Sequence, residues 1–128
     1  MILVDTSVWI DHFRIRANHL VDLATRDQLC MHAFVVGELA SGHLANRAST
    51  LTDLKAIPHI LPADDEEVLT LIETHKFMGR GLGYVDLHLL ASAKLNSVEI
   101  WTRDRRMLQA AADLKIAHIP ESSSGFSS

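Results

Sequence analysis

Ile2-Leu3-Val4-Asp5-Thr6-Ser7-Val8-Trp9-Ile10 decides the fold. Its three leading residues are apolar, two of them β-branched, and read as a strand buried on both faces, as strands of parallel sheets are. The acid closes the strand. Thr6 or Ser7 then caps a helix running through Val8-Trp9-Ile10-Asp11, although Asp5 competes for that cap. A buried strand that turns at an acid straight into a helix is the opening half of a βαβ unit.

The same alternation continues outward. A helical stretch spans about Ala17 to Arg26, with Leu20, Leu23 and Ala24 on one face, and Leu29-Cys30-Met31-His32 reads as the second strand. Phe34 to Ala45 has helical period, and Ser49 to Ile57 is a helix stopped before Pro58. His59-Ile60-Leu61 reads as a third strand, and Asp64-Asp65-Glu66-Glu67 as the acidic first turn of the next helix. Gly79-Arg80-Gly81-Leu82-Gly83 holds three of the six glycines and reads as a loop, followed by a helix over Tyr84 to Leu95. Val98 to Thr102, Asp104 to Lys115 and Ile116 to Ile119 complete the series as strand, helix and strand. The pattern predicts an α/β fold with a parallel sheet. One domain is expected over residues 1–120, and residues 121–128 read as a Ser-rich C-terminal tail, disordered by composition.

Composition excludes several classes. With 128 residues, 48% hydrophobic and 22% charged, the chain can bury a core without disulfides, and its single cysteine, Cys30, permits no intramolecular one. No apolar run approaches the roughly twenty residues of a membrane span, and the N-terminus lacks a secretory pattern. A cytoplasmic protein is expected. Twelve Lys and Arg stand against sixteen Asp and Glu, a formal charge of −4, so there is no global basic footprint for nucleic acid. The eight histidines form no metal motif and read as surface or partly buried residues.

Four acids fall at suggestive places. Asp5 ends the first strand, and Asp104 lies two residues past the strand closing at Thr102. Asp86 occupies the first turn of the helix leaving the glycine loop, and Glu38 lies among apolar residues in Phe34-Val35-Val36-Gly37-Glu38-Leu39-Ala40. Ligands of open α/β sheets bind beyond the carboxyl ends of strands, where these acids are expected to gather. Each has a plainer reading: a cap or dipole partner for Asp5, Asp86 and Asp104, a solvent-facing acid for Glu38. Should they converge, carboxylates within about 5 Å of one another repel and raise one another's pKa unless a cation intervenes. Oxygen-only ligands favour Mg²⁺ or Mn²⁺ over zinc, and such a centre can hydrolyse a phosphodiester with activated water and no protein nucleophile.

Asp5-Thr6-Ser7, Gly37-Glu38-Leu39, Gly83-Tyr84-Val85-Asp86-Leu87-His88-Leu89-Leu90-Ala91 and Trp101-Thr102-Arg103-Asp104 occur in the order of the PIN-domain ribonucleases, which the chain resembles over about residues 1 to 120. Its compact length is similar to that of VapC toxins of bacterial type II toxin–antitoxin pairs. The resemblance implies a three-layer α/β/α sandwich with an about five-stranded parallel sheet, and Mg²⁺- or Mn²⁺-dependent endonuclease action on RNA. It implies that Asp5, Glu38, Asp86 and Asp104 form the catalytic acidic cluster, with Asp5, Asp86 and Asp104 as the metal-binding set. It further implies that Thr6, Ser7 and Thr102 are hydroxyls orienting those acids, and that a homodimer and a cognate antitoxin are the protein partners. One departure stands out: many relatives carry a further acid two residues after the fourth, and here that position is Arg106.

Arg80, Arg103, Arg105 and Arg106 border the same expected edge as candidate RNA phosphate contacts, with a solvated surface as the plainer reading. Trp9 and Trp101 are candidates for base stacking, but both sit in apolar patterns that favour packing. Two Mg²⁺ ions would bring −4 + 4 to zero. Three other classes compete. A phosphoryl-accepting receiver domain needs paired acids after the first strand and a lysine after the last, where this chain has Asp5 alone and Pro120-Glu121. A haloacid-type phosphatase needs a second acid where Ser7 stands. A non-catalytic metal-binding or interaction module on the same fold is the third, and the full set of four acids argues against it, since a decayed nuclease is expected to lose at least one.

Overall fold

The computed structural model describes residues 1–120; the expected tail over 121–128 lies outside the described residues. The central strand β1 (Ile2–Val4) pairs in parallel with β2 (Leu29–Cys30) on one side and β3 (Glu99–Trp101) on the other, in the order β2-β1-β3. Leu3 faces Cys30 across one pair and Ile100 across the other, and Leu3, Val4 and Ile100 are completely buried. That double burial is why the opening tripeptide is uniformly apolar; truncating Leu3 or Ile100 to Ala would cost about 2–5 kcal/mol.

Seven helices are found among the described residues. Helices α1 (Thr6–Arg14) and α2 (Asn18–Thr25) link β1 to β2. Then α3 (Ala33–Ala40), α4 (Arg47–Ala56), α5 (Asp65–His75) and α6 (Tyr84–Leu95) lead from β2 to β3, which α7 (Arg105–Asp113) follows. From β2 the chain returns past β1 to its other side. Crossovers between parallel strands are right-handed, and two that run in opposite directions would lay helices on both faces of the sheet. They also make the end of β1 a point where strand order reverses, the usual position of a ligand crevice. The structure is therefore the expected α/β fold with a parallel sheet.

The sheet has three strands rather than about five. In the two further strands expected, His59 and Ala117 each make one parallel bridge, to Met31 and Ile100. Met31 N donates to Pro58 O and Ile60 N to Met31 O, but Pro58 and Pro62 confine the segment, since proline has no amide to extend a ladder. On the other margin, Ile100 N donates to Ile116 O and His118 N to Ile100 O, and the run ends near Pro120.

Helix bounds depart from the sequence reading chiefly in α3, which stops at Ala40 instead of reaching Ala45. The backbone leaves the helix at Ser41-Gly42, where the Arg47 guanidinium takes the carbonyls of Ala40 and Gly42. Seven consecutive residues of α6, Leu87 to Ala93, are buried, making it the most enclosed helix among the described residues.

Candidate active site

The ladder between β1 and β3 carries one rung past the strands: Asp5 N donates to Trp101 O at 2.9 Å. That rung sets Asp5 beside Thr102. The Asp5 carboxylate, 4% exposed, accepts through Oδ2 from Thr102 Oγ1 at 2.9 Å, Ser7 Oγ at 2.7 Å and, at 3.4 Å, Ser7 N. Asp5 rather than Thr6 or Ser7 is the N-cap of α1, which frees both hydroxyls for other work. Ser7 Oγ also accepts from Arg103 N at 3.0 Å, and Thr102 Oγ1 from Asp104 N at 3.1 Å. These two hydroxyls lock the exits of β1 and β3 together.

The remaining acids are placed by their helices. Asp104 caps α7, accepting from Met107 N through Oδ1 at 3.0 Å. Asp86 reaches back from the first turn of α6 to accept from Gly83 N through Oδ2 at 3.1 Å, half of a capping box, since Gly83 has no side chain to answer. Glu38, exposed on α3, accepts from Thr6 Oγ1 through Oε1 at 2.7 Å. In all four carboxylates one oxygen is engaged and the other has no hydrogen bond from the described residues.

Asp5, Glu38 and Asp104 are all brought within electrostatic reach of Asp86. Burial raises the Asp86 carboxyl above its ordinary value, the Gly83 amide opposes that, and the charges of Asp5, Asp104 and Glu38 push it further up. No three His, Cys, Asp or Glu among the described residues stand close enough to enclose a single ion. The donor set nevertheless fits Mg²⁺, which takes one or two direct carboxylates, keeps several waters and reaches further acids through them.

The expected RNA contacts separate into two groups. Arg80 is paired with Asp113 at 2.9 Å over the Phe77 ring, and Arg103 with Asp11 at 3.3 Å beside the Trp101 ring. Arg105 and Arg106 have no acid partner among the described residues. Trp9 and Trp101 are 6% and 4% exposed, which removes both from base stacking and assigns them to the core. A cleft of about 630 Å³ opens between α1, α3 and the start of α4, lined by Ile10, Phe13, Leu39 and Leu44 with Glu38 on its wall.

The histidines are less superficial than their scatter implied. His32 is 1% exposed, accepts from Phe34 N through Nδ1 at 2.9 Å, and shares a 3.1 Å bond between Nε2 and Ser92 Oγ. His88 is 5% exposed and meets Asp65 Oδ1 at 3.0 Å, an oxygen that also accepts from Tyr84 OH at 2.8 Å. The signal for both was their setting in dense apolar runs. Outside the acid cluster, His118 bridges Glu99 and His19 at 3.0 and 2.8 Å.

Comparison with known proteins agrees with this geometry. The PIN domain family matches residues 2–113. Ribonuclease VapC32 of Mycobacterium tuberculosis, in strains CDC 1551 / Oshkosh and ATCC 25618 / H37Rv, is 41% identical over 118 residues, covering 91% of this chain and 95% of the relative. The crystal structure of PAE2754 from Pyrobaculum aerophilum superposes with a TM-score of 0.57 at 18% identity, over 85% of this chain and 78% of the other, which shows a shared fold. A domain match over residues 2–113 and 41% identity across 95% of a relative have one meaning: the chain belongs to the PIN-domain family and is VapC-like.

Proposed function

We propose that the protein is a metal-dependent endoribonuclease, the toxin of a toxin–antitoxin pair, hydrolysing RNA phosphodiesters at the cluster of Asp5, Glu38, Asp86 and Asp104. The observation that carries this reading is the common state of the four carboxylates. Each comes from a different element, each has one oxygen tied down by an amide or hydroxyl, and each keeps the other uncommitted. A purely structural cap has no need of three like charges nearby, and Asp86 bears the cost of theirs.

Asp5 and Asp86 are the direct ligands in this reading, with Asp104 and Glu38 acting through water. Mg²⁺ or Mn²⁺, when bound, supplies a water acidic enough to attack at neutral pH and positive charge for the phosphorane-like transition state. Ser7 and Thr102 hold Asp5 Oδ2, so that Oδ1 keeps one direction, and Thr6 does the same for Glu38. Gly83 N orients Asp86, and Met107 N orients Asp104. Asp104 and Glu38, which lie outside the direct ligand pair in this reading, accept the proton released as water attacks.

The same reading carries a homodimer and a cognate antitoxin as partners. The exposed apolar side chains of Ile10 and Phe13 in the cleft beside Glu38 support a protein partner there. Among the described residues no helix is long and apolar enough to cross a membrane.

Cleavage of total cellular RNA with Mg²⁺ or Mn²⁺ tests the proposal, with EDTA and Asp5→Asn as controls. Discrete fragments lost in both controls are expected. Metal-loaded protein free of antitoxin that cuts no RNA would refute the nuclease and favour the non-catalytic module.

A further inference from the structure

Gly81 adopts a left-handed backbone, φ +77°, in the middle of the glycine loop. A Cβ there would meet Arg106 Cδ and Nη1 at 2.9 Å and Cζ at 3.0 Å. The Arg106 side chain therefore lies against the bare face of Gly81, in a notch that any other residue would fill. Two residues further along the loop, Gly83 N holds Asp86; two residues before Arg106, Asp104 caps α7. Arg106 thus joins the approaches to two of the four acids.

Its charge is unspent. Among the described residues Arg106 makes no hydrogen bond or ion pair, while Arg80 and Arg103 are committed to Asp113 and Asp11. Arg105 is equally unpaired but has no seat comparable to the Gly81 notch. A guanidinium carries five N–H donors in a planar fork that matches two phosphate oxygens. A chain of net charge −4, with four acids gathered at one edge, repels a phosphodiester from the place where it must bind. A fixed cation at that edge offsets the repulsion.

We propose that Arg106, seated on Gly81, is the phosphate clamp of the site, holding one phosphate of the RNA strand beside the acid cluster. This rests on the ribonuclease reading above. Arg106 is a substrate-positioning residue, and Gly81 acts through it by leaving room.

The test measures affinity for a labelled single-stranded RNA of mixed sequence in Mg²⁺, across a range of KCl, on the Asp5→Asn background that prevents turnover. Arg106→Gln should weaken binding about tenfold and reduce the slope of log K against log salt by about 0.7, the loss of one phosphate contact to a single strand. Arg106→Lys should restore the slope and part of the affinity. Arg26→Gln, which removes the same formal charge from an arginine paired with Asp22, should change neither. Gly81→Ala should weaken binding by occupying the seat, and its effect should not add to that of Arg106→Gln. Wild-type affinity and slope in Arg106→Gln, in a protein whose Asp5-intact form cleaves RNA, overturn the clamp alone. A protein that neither binds nor cleaves RNA overturns the ribonuclease reading and the clamp with it.

Discussion

Thr102 Oγ1 donates to Asp5 Oδ2 across 2.9 Å, joining residues 97 positions apart at the exits of two neighbouring parallel strands. The same oxygen accepts the Asp104 amide, so one hydroxyl serves two acids. Thr102→Val keeps the shape and removes both bonds, leaving the Asp104 amide unpaired. Loss of about 1–3 kcal/mol in denaturant-derived stability is expected, together with a roughly tenfold rise in the Mg²⁺ concentration giving half-maximal cleavage. A change in stability with no change in metal dependence would assign Thr102 to the fold alone.

Asp86 sits in a field of like charge, and removing its own charge should strengthen the metal-free fold. Asn in its place still accepts from Gly83 N. Asp86→Asn is expected to raise the thermal midpoint by roughly 2–4 °C in EDTA while abolishing RNA cleavage. Adding Mg²⁺ should raise the wild-type midpoint and narrow the gap, because an ion that binds only the folded acids stabilises them by mass action. Differential scanning calorimetry with and without Mg²⁺ reads both effects; a lower midpoint in EDTA contradicts the electrostatic account.

His32 gives the fold a dependence on acid. Burial lowers its pKa to about 4, and His88 and His59 push in the same direction. The neutral ring is the form its bonds require, since Nδ1 must accept from Phe34 N. The unfolded chain binds the proton at its ordinary value of 6.5, so this contribution is whole above pH 6.5 and is lost as pH falls toward 4. The full loss is on the order of 3 kcal/mol. Urea midpoints measured between pH 7 and 4 should fall more steeply for the wild type than for His32→Asn, and parallel curves would remove His32 from the acid response.

What the sequence disclosed was local. Asp5, Asp86 and Asp104 could be placed because each lies within three residues of the helix end that it caps, and α6 was legible in full, Tyr84 to Leu95, because glycines precede it. What escaped were relationships between distant residues. The pairing of Arg103 with Asp11, and the burial of His32 and His88, depend on which elements face one another, and no period of 2 or 3.6 encodes that. The marginal strands failed for a related reason. Ile116 to Ile119 has strand composition, but a strand also needs a neighbour over its whole length, and only Ile100 is offered.

The strand order has a consequence in time. Because β1 pairs with β3, the first acid of the chain waits beside an empty lane until residues 99–101 arrive. During synthesis residues 99–101 must leave the ribosome before Asp5 and Asp104 can be neighbours. Earlier fragments hold at most part of the acid cluster, so a nascent chain lacks its assembled centre until β3 has been made.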